Sequence, residues 1–108
     1  MRFDARSSRR LRLRRPAAAI TGFGPAHIVD LTPRSIAITH DWPVAKGLTT
    51  WLEFSWAGRL MRLDCEVRST RYSRADAKHR SGLIVSGGFS ASEFERRVRD
   101  ELAKLASA

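Results

Sequence analysis

The chain has 108 residues, 43% of them hydrophobic, and a formal charge of +9 from 20 Lys and Arg against 11 Asp and Glu. That length fits one core and one domain, the clustered apolar residues argue against global disorder, and the charge favours an anionic partner without naming it. The single cysteine, Cys65, excludes an internal disulfide, and no apolar run approaches the roughly 18 to 20 residues that span a bilayer.

Seven arginines, Arg2, Arg6, Arg9, Arg10, Arg12, Arg14 and Arg15, crowd the first fifteen residues against one acid, Asp4. The composition predicts a mobile basic arm over residues 1–15, closed by Pro16, with one folded domain over 16–108. Its positive flank suggests a leader, but Ala17-Ala18-Ala19-Ile20 is too short for the apolar region a signal peptide needs, so the chain reads as soluble and cytoplasmic. From Ala17 the text is strand-like. One strand is expected to end at the turn signal Gly24-Pro25, and the next to run from Ala26 to Leu31 with His27, Val29 and Leu31 on one face. A turn at Thr32-Pro33-Arg34 leads to a short run, Ser35 to Thr39, broken by Asp41-Trp42-Pro43.

Leu48, Thr50, Leu52, Phe54 and Trp56 alternate, as in a half-buried strand, and Ala57-Gly58 is a hairpin signal. The clearest pattern follows: Met61, Leu63, Cys65 and Val67 alternate with Arg62, Asp64, Glu66 and Arg68. Cys65 therefore reads as a small buried hydrophobe, and the charged positions as a solvated ladder. Ser73 to Arg80 is polar and predicts a loop before a buried strand, Gly82 to Ser86. Ser90-Ala91-Ser92-Glu93 matches a capping box, and Phe94, Val98, Leu102 and Leu105 make one helical stripe.

The order of elements and two short motifs resemble the PilZ family over roughly residues 9 to 105. The first motif is an RxxxR pattern, Arg10-Leu11-Arg12-Leu13-Arg14, with Arg9 doubling the first arginine and Arg6 with Arg10 offering a second register. The second is a DxSxxG-like turn, Asp30-Leu31-Thr32-Pro33-Arg34-Ser35, in which Thr32 stands for the serine and Ser35 for the glycine. The resemblance implies a mainly β fold: a six-stranded antiparallel β-barrel with a C-terminal α-helix and a basic N-terminal arm. It also implies binding of cyclic di-GMP, with Arg9, Arg10 and Arg14 on the phosphates and Asp30, Thr32 and Ser35 at the base. Guanidinium groups suit that task through charge-assisted bidentate hydrogen bonds and stacking on guanine.

Two alternatives stand beside the receptor reading. Thr32 and Ser35 leave open a module that has lost the ligand and works by protein contact; equally, Asp30 on its own is an ordinary turn former. The basic arm leaves open a small nucleic-acid-binding barrel, although basic and aromatic residues are not interleaved on one strand face. His27, His40 and His79 are scattered with no ligand spacing, and Gly87-Gly88 lacks the context of a phosphate loop. No catalytic constellation or metal site is read in the sequence, and the implied role is a non-enzymatic receptor with an unnamed protein partner.

Overall fold

The computed structural model describes residues 1–7 and 9–107, and of residues 5–7 the backbone alone. Among the described residues, seven strands precede one helix: β1 (Phe3–Ser7), β2 (Arg10–Thr21), β3 (Gly24–Thr32), β4 (Ser35–His40), β5 (Thr49–Trp56), β6 (Arg59–Ser73), β7 (Lys78–Gly87) and α1 (Ala91–Ala106). All pairings are antiparallel, in the order β1-β2-β3-β4-β7-β6-β5, and β2 also pairs with β5. The strands β2 to β7 thus close into a ring of six. The expected count of six is corrected to seven, because β1 adds itself to the outer edge of β2.

That extra strand lies within the segment expected as a mobile arm. Residues 10–15 are the first half of β2, which continues through Pro16. The cause is visible in the letters: Leu11 and Leu13 are buried while Arg10, Arg12 and Arg14 face out, the alternation of a half-buried strand. Proline is accommodated because the β2–β3 register shifts between Arg12 and Ala17, where no ladder amide is required.

Three further expectations change. The β2–β3 turn is Gly22-Phe23, with Pro25 already paired to Ile20 inside β3; Thr21 Oγ1 donates to the Gly24 carbonyl at 2.8 Å and accepts from the Phe23 amide at 3.1 Å, closing the turn earlier. In β3 a bulge between Ile28 and Asp30 reverses the parity, so that Ala26, Ile28, Asp30 and Leu31 are buried and His27 is exposed. The segment 73–80 is a loop only at its tip. β6 and β7 run on past the buried region and pair as far as Ser73 and Lys78.

The alternation in β6 is as expected, with Met61, Leu63, Cys65 and Val67 all at most 1% exposed. Ala57 and Gly58 turn β5 into β6 at positive φ, 51° and 79°. Helix α1 plants Phe94 and Val98 in the core, where Phe94 meets the rings of Phe54 and Trp56 edge-on, each at 6.2 Å. Ser90 precedes α1 but does not form the expected capping box. Its hydroxyl accepts from the Arg62 amide at 3.0 Å, and Glu93 pairs with Arg59 and Arg97, so both side chains tie the helix to its surroundings.

Candidate functional site

Four elements, β1, β2, β3 and β7, meet in one cleft. The alternation of β2 puts Arg10, Arg12 and Arg14 on its outer face, and the β2–β3 register sets Arg12 opposite Asp30. The ring brings Arg80 of β7 to the same place, and β1 contributes Asp4. Together these six side chains line a cleft of about 990 Å³, with Leu13, Pro16 and Val29 as its apolar wall. Four guanidiniums against two carboxylates make it an anion trap.

Asp30 is the buried member of the group. Its side chain is 10% exposed, and Oδ2 accepts from Arg10 Nη1 at 3.4 Å. Burial raises its carboxyl above the ordinary value; the charges of Arg10, Arg80 and Arg12 and the Arg10 hydrogen bond oppose that rise. At the other end, Arg14 Nε donates to Asp4 Oδ1 at 2.9 Å, with both partners more than half exposed.

The remaining expected residues are placed as follows. Arg9 sits exposed in the turn between β1 and β2, outside this cleft. Thr32 and Ser35 close the β3–β4 turn, with their hydroxyls 2.6 Å apart, and Thr32 Oγ1 also accepts from the Arg34 amide at 3.3 Å. Ser35 lines a smaller recess of about 140 Å³ together with Arg10, Asp30 and Arg68, whereas Thr32 lines neither cavity. The side chain of Arg6, which offered a second register with Arg10, lies outside the described residues.

Sequence reasoning missed Arg12 and Arg80. The alternation Arg10-Leu11-Arg12-Leu13-Arg14 carried the signal for Arg12. Arg80 had no local signal, because only ring closure brings it beside residues 50 or more positions earlier. The ring also gathers two histidines: His40 stacks on His79 at 5.7 Å, with Phe23 at 5.1 Å. The buried His40 ring is held at both nitrogens, by the Trp42 carbonyl and the Ser81 hydroxyl, each at 2.7 Å. Trp56 is core, while Trp51, on the opposite face, lies under the Arg62 guanidinium at 5.1 Å.

No family model and no curated protein sequence matches the chain. Solved structures do. The motility inhibitor MotI/DgrA of Bacillus subtilis superposes with a TM-score of 0.72 at 11% identity, covering 96% of this chain and 52% of that one. YcgR of Escherichia coli, solved in complex with c-di-GMP, gives 0.64 at 11% identity, covering 91% and 44%. This chain therefore spans about half the length of either. The PilZ domain of CeSA from a cellulose-synthesizing bacterium gives 0.57 at 16% identity and is matched over 97% of its length by 90% of this chain. With its closed antiparallel ring, C-terminal helix and arginine-bearing strand at the rim, the chain has the fold of the PilZ domains.

Proposed function

We propose that the chain is a cyclic di-GMP receptor domain, in which Arg10, Arg12, Arg14 and Arg80 hold the phosphates and Asp30 accepts hydrogen bonds from a guanine edge. One observation carries this reading: Arg10, Arg14 and Asp30 share one cleft with two further arginines. A ligand seated there spans the β1–β2 hairpin and the ring, and so alters the surface offered to a protein partner. Such a domain works by binding and contact, without catalysis, and in the cytoplasm. The likeness to YcgR, which was solved with c-di-GMP, supports the ligand class.

Isothermal titration calorimetry at about physiological ionic strength tests it, since non-specific attraction is then partly screened. Saturable binding at micromolar concentration or below, unaffected by excess GTP, is the expected result. No heat, with no ligand-induced change by a second method, refutes the receptor reading. A second reading then takes its place: a module that works purely by protein contact. The mutual hydrogen bond of Thr32 and Ser35, and the pairing of Arg10 and Arg14 with the domain's own Asp30 and Asp4, favour that alternative.

A further inference from the structure

We propose that the groove continues past Arg10 to a second anion seat made by Arg71 and Arg80, so that the site reads a ligand carrying two separated phosphates rather than one. The inference rests on the nucleotide-binding reading above for the ligand class, but the seat itself stands on its own observations. Arg71 of β6 and Arg80 of β7 are direct cross-strand partners. Like charges placed opposite one another destabilise a sheet. Among the described residues, neither makes an ion pair with a carboxylate. Elsewhere on β6, by contrast, Arg59, Arg62 and Arg68 each have a glutamate.

The place between the two ends is shaped for something flat. Ala37, Gly82 and Ser69 lie in register across β4, β7 and β6, and no tall side chain rises from that row. A Cβ on Gly82 would stand 2.8 Å from Ser69 Oγ. The resulting recess, about 280 Å³, shares Arg10 and Arg80 with the first cleft, and Arg71 forms part of its lining. A ligand with phosphates at both ends of this path would relieve the Arg71–Arg80 repulsion at one end and meet Arg12 and Arg14 at the other. A ligand with one phosphate can use only one end.

The test uses the full chain, wild type and Arg71→Ala, with two probes. Inorganic phosphate is first compared with chloride at matched ionic strength by thermal melting. The expected result is an extra rise of a few degrees in the wild type that is smaller in Arg71→Ala, which keeps only the first cleft. In chloride the variant melts no lower than the wild type, because an exposed like-charge neighbour has been removed. Calorimetry with cyclic di-GMP and with cyclic GMP follows. Arg71→Ala is expected to weaken the first by about tenfold, the loss of one charge-assisted contact, and to leave the second unchanged. A phosphate response absent from the wild type, or undiminished in Arg71→Ala, overturns the seat. Undiminished affinity for cyclic di-GMP in the variant overturns the two-phosphate assignment. An Arg71-dependent phosphate response with no wild-type heat from cyclic di-GMP upholds the seat and removes the nucleotide reading.

Discussion

Replacing Asp30 with asparagine separates what this carboxylate does for the fold from what it does for a ligand. The side chain is 10% exposed, yet its hydrogen-bonding partner Arg10 is 58% exposed and 3.4 Å away. A contact with one solvated partner contributes about 0 to 1 kcal/mol, and the larger influence on Asp30 is the burial that disfavours its charge. Asparagine keeps the shape and one acceptor for Arg10 but carries no charge to desolvate. Asp30→Asn is therefore expected to fold with a stability at pH 7 equal to the wild type or up to about 1 kcal/mol above it.

The pH dependence has a definite sign. A folded-state pKa raised above the ordinary 3.8 means that the native protein binds this proton more tightly than the unfolded chain. The stability due to the group is then full below 3.8 and is lost as pH rises through the raised value. On acidification the wild type should gain on the variant. Ligand binding should move the other way, with a loss of roughly tenfold or more at pH 7 when the charged acceptor is removed. Urea melts at pH 7 and pH 4, with calorimetry on the same samples, read both quantities. A loss of more than about 2 kcal/mol at pH 7 would show Asp30 to be a structural ion-pair partner, and an unchanged affinity would remove it from the site.

Other substitutions probe the frame around the site. Gly88→Ala should destabilise by about 2 kcal/mol or more, because φ is +106° and the added Cβ would stand 2.7 Å from the Asp64 amide nitrogen; chemical denaturation measures it. Phe94→Ala empties the contact with Phe54 and Trp56 and should cost about 3 to 5 kcal/mol, with a matching fall in denaturation midpoint. Burial lowers the pKa of His40 below 6.5, so its contribution is complete above pH 6.5 and is lost as pH falls through the lower folded value. His40→Gln should flatten the stability profile in that window, as followed by melts at pH 7.5 and 5.5. Cys65 is 1% exposed with its thiol pushed up to about 12, mainly by burial, so a thiol reagent at pH 8 should label it only at the rate of unfolding.

Much of this architecture is legible where one physical signal acts alone. Met61 to Val67 alternate without interruption, and the stripe from Phe94 to Leu105 has no competing period, so β6 and α1 follow from their letters. Residues 10–14 carry the same alternation, but the density of arginine there resembles a solvated tail, and composition masked Leu11 and Leu13. The parity of β3 is hidden for a different reason. A bulge between Ile28 and Asp30 changes which side chains point inward, and nothing in the apolar pattern announces one extra residue. Ser90 shows the limit of local motifs: its neighbourhood spells a capping box, but the Arg62 amide on a distant strand claims the hydroxyl. Half of the cleft was readable, because Arg10, Arg14 and Asp30 lie in recognisable patterns. Arg80 was not, since its membership depends on a pairing across the closed ring.

The ring can also be viewed as two three-stranded meanders, β2-β3-β4 and β5-β6-β7, each built of neighbouring hairpins that can form locally. They meet along β4–β7 over six residue pairs, from Ser35 with Ile84 to His40 with His79, and along β2–β5 over only two, Ile20 with Glu53 and Thr21 with Leu52. Neither meander encloses a core by itself. Leu11, Ile28 and Ile38 on one and Leu52, Leu63 and Leu83 on the other are dry only when the two are docked. Folding must therefore bring together segments far apart in the chain before burial repays the entropy, which sets a slow, collective transition with no stable half-ring. Helix α1, packed on β2 and β3 from one meander and β6 from the other, bolts them together. The groove from Arg14 to Arg71 likewise runs from β2 in the first meander to β6 in the second, so an anion held there would join the same two halves from outside.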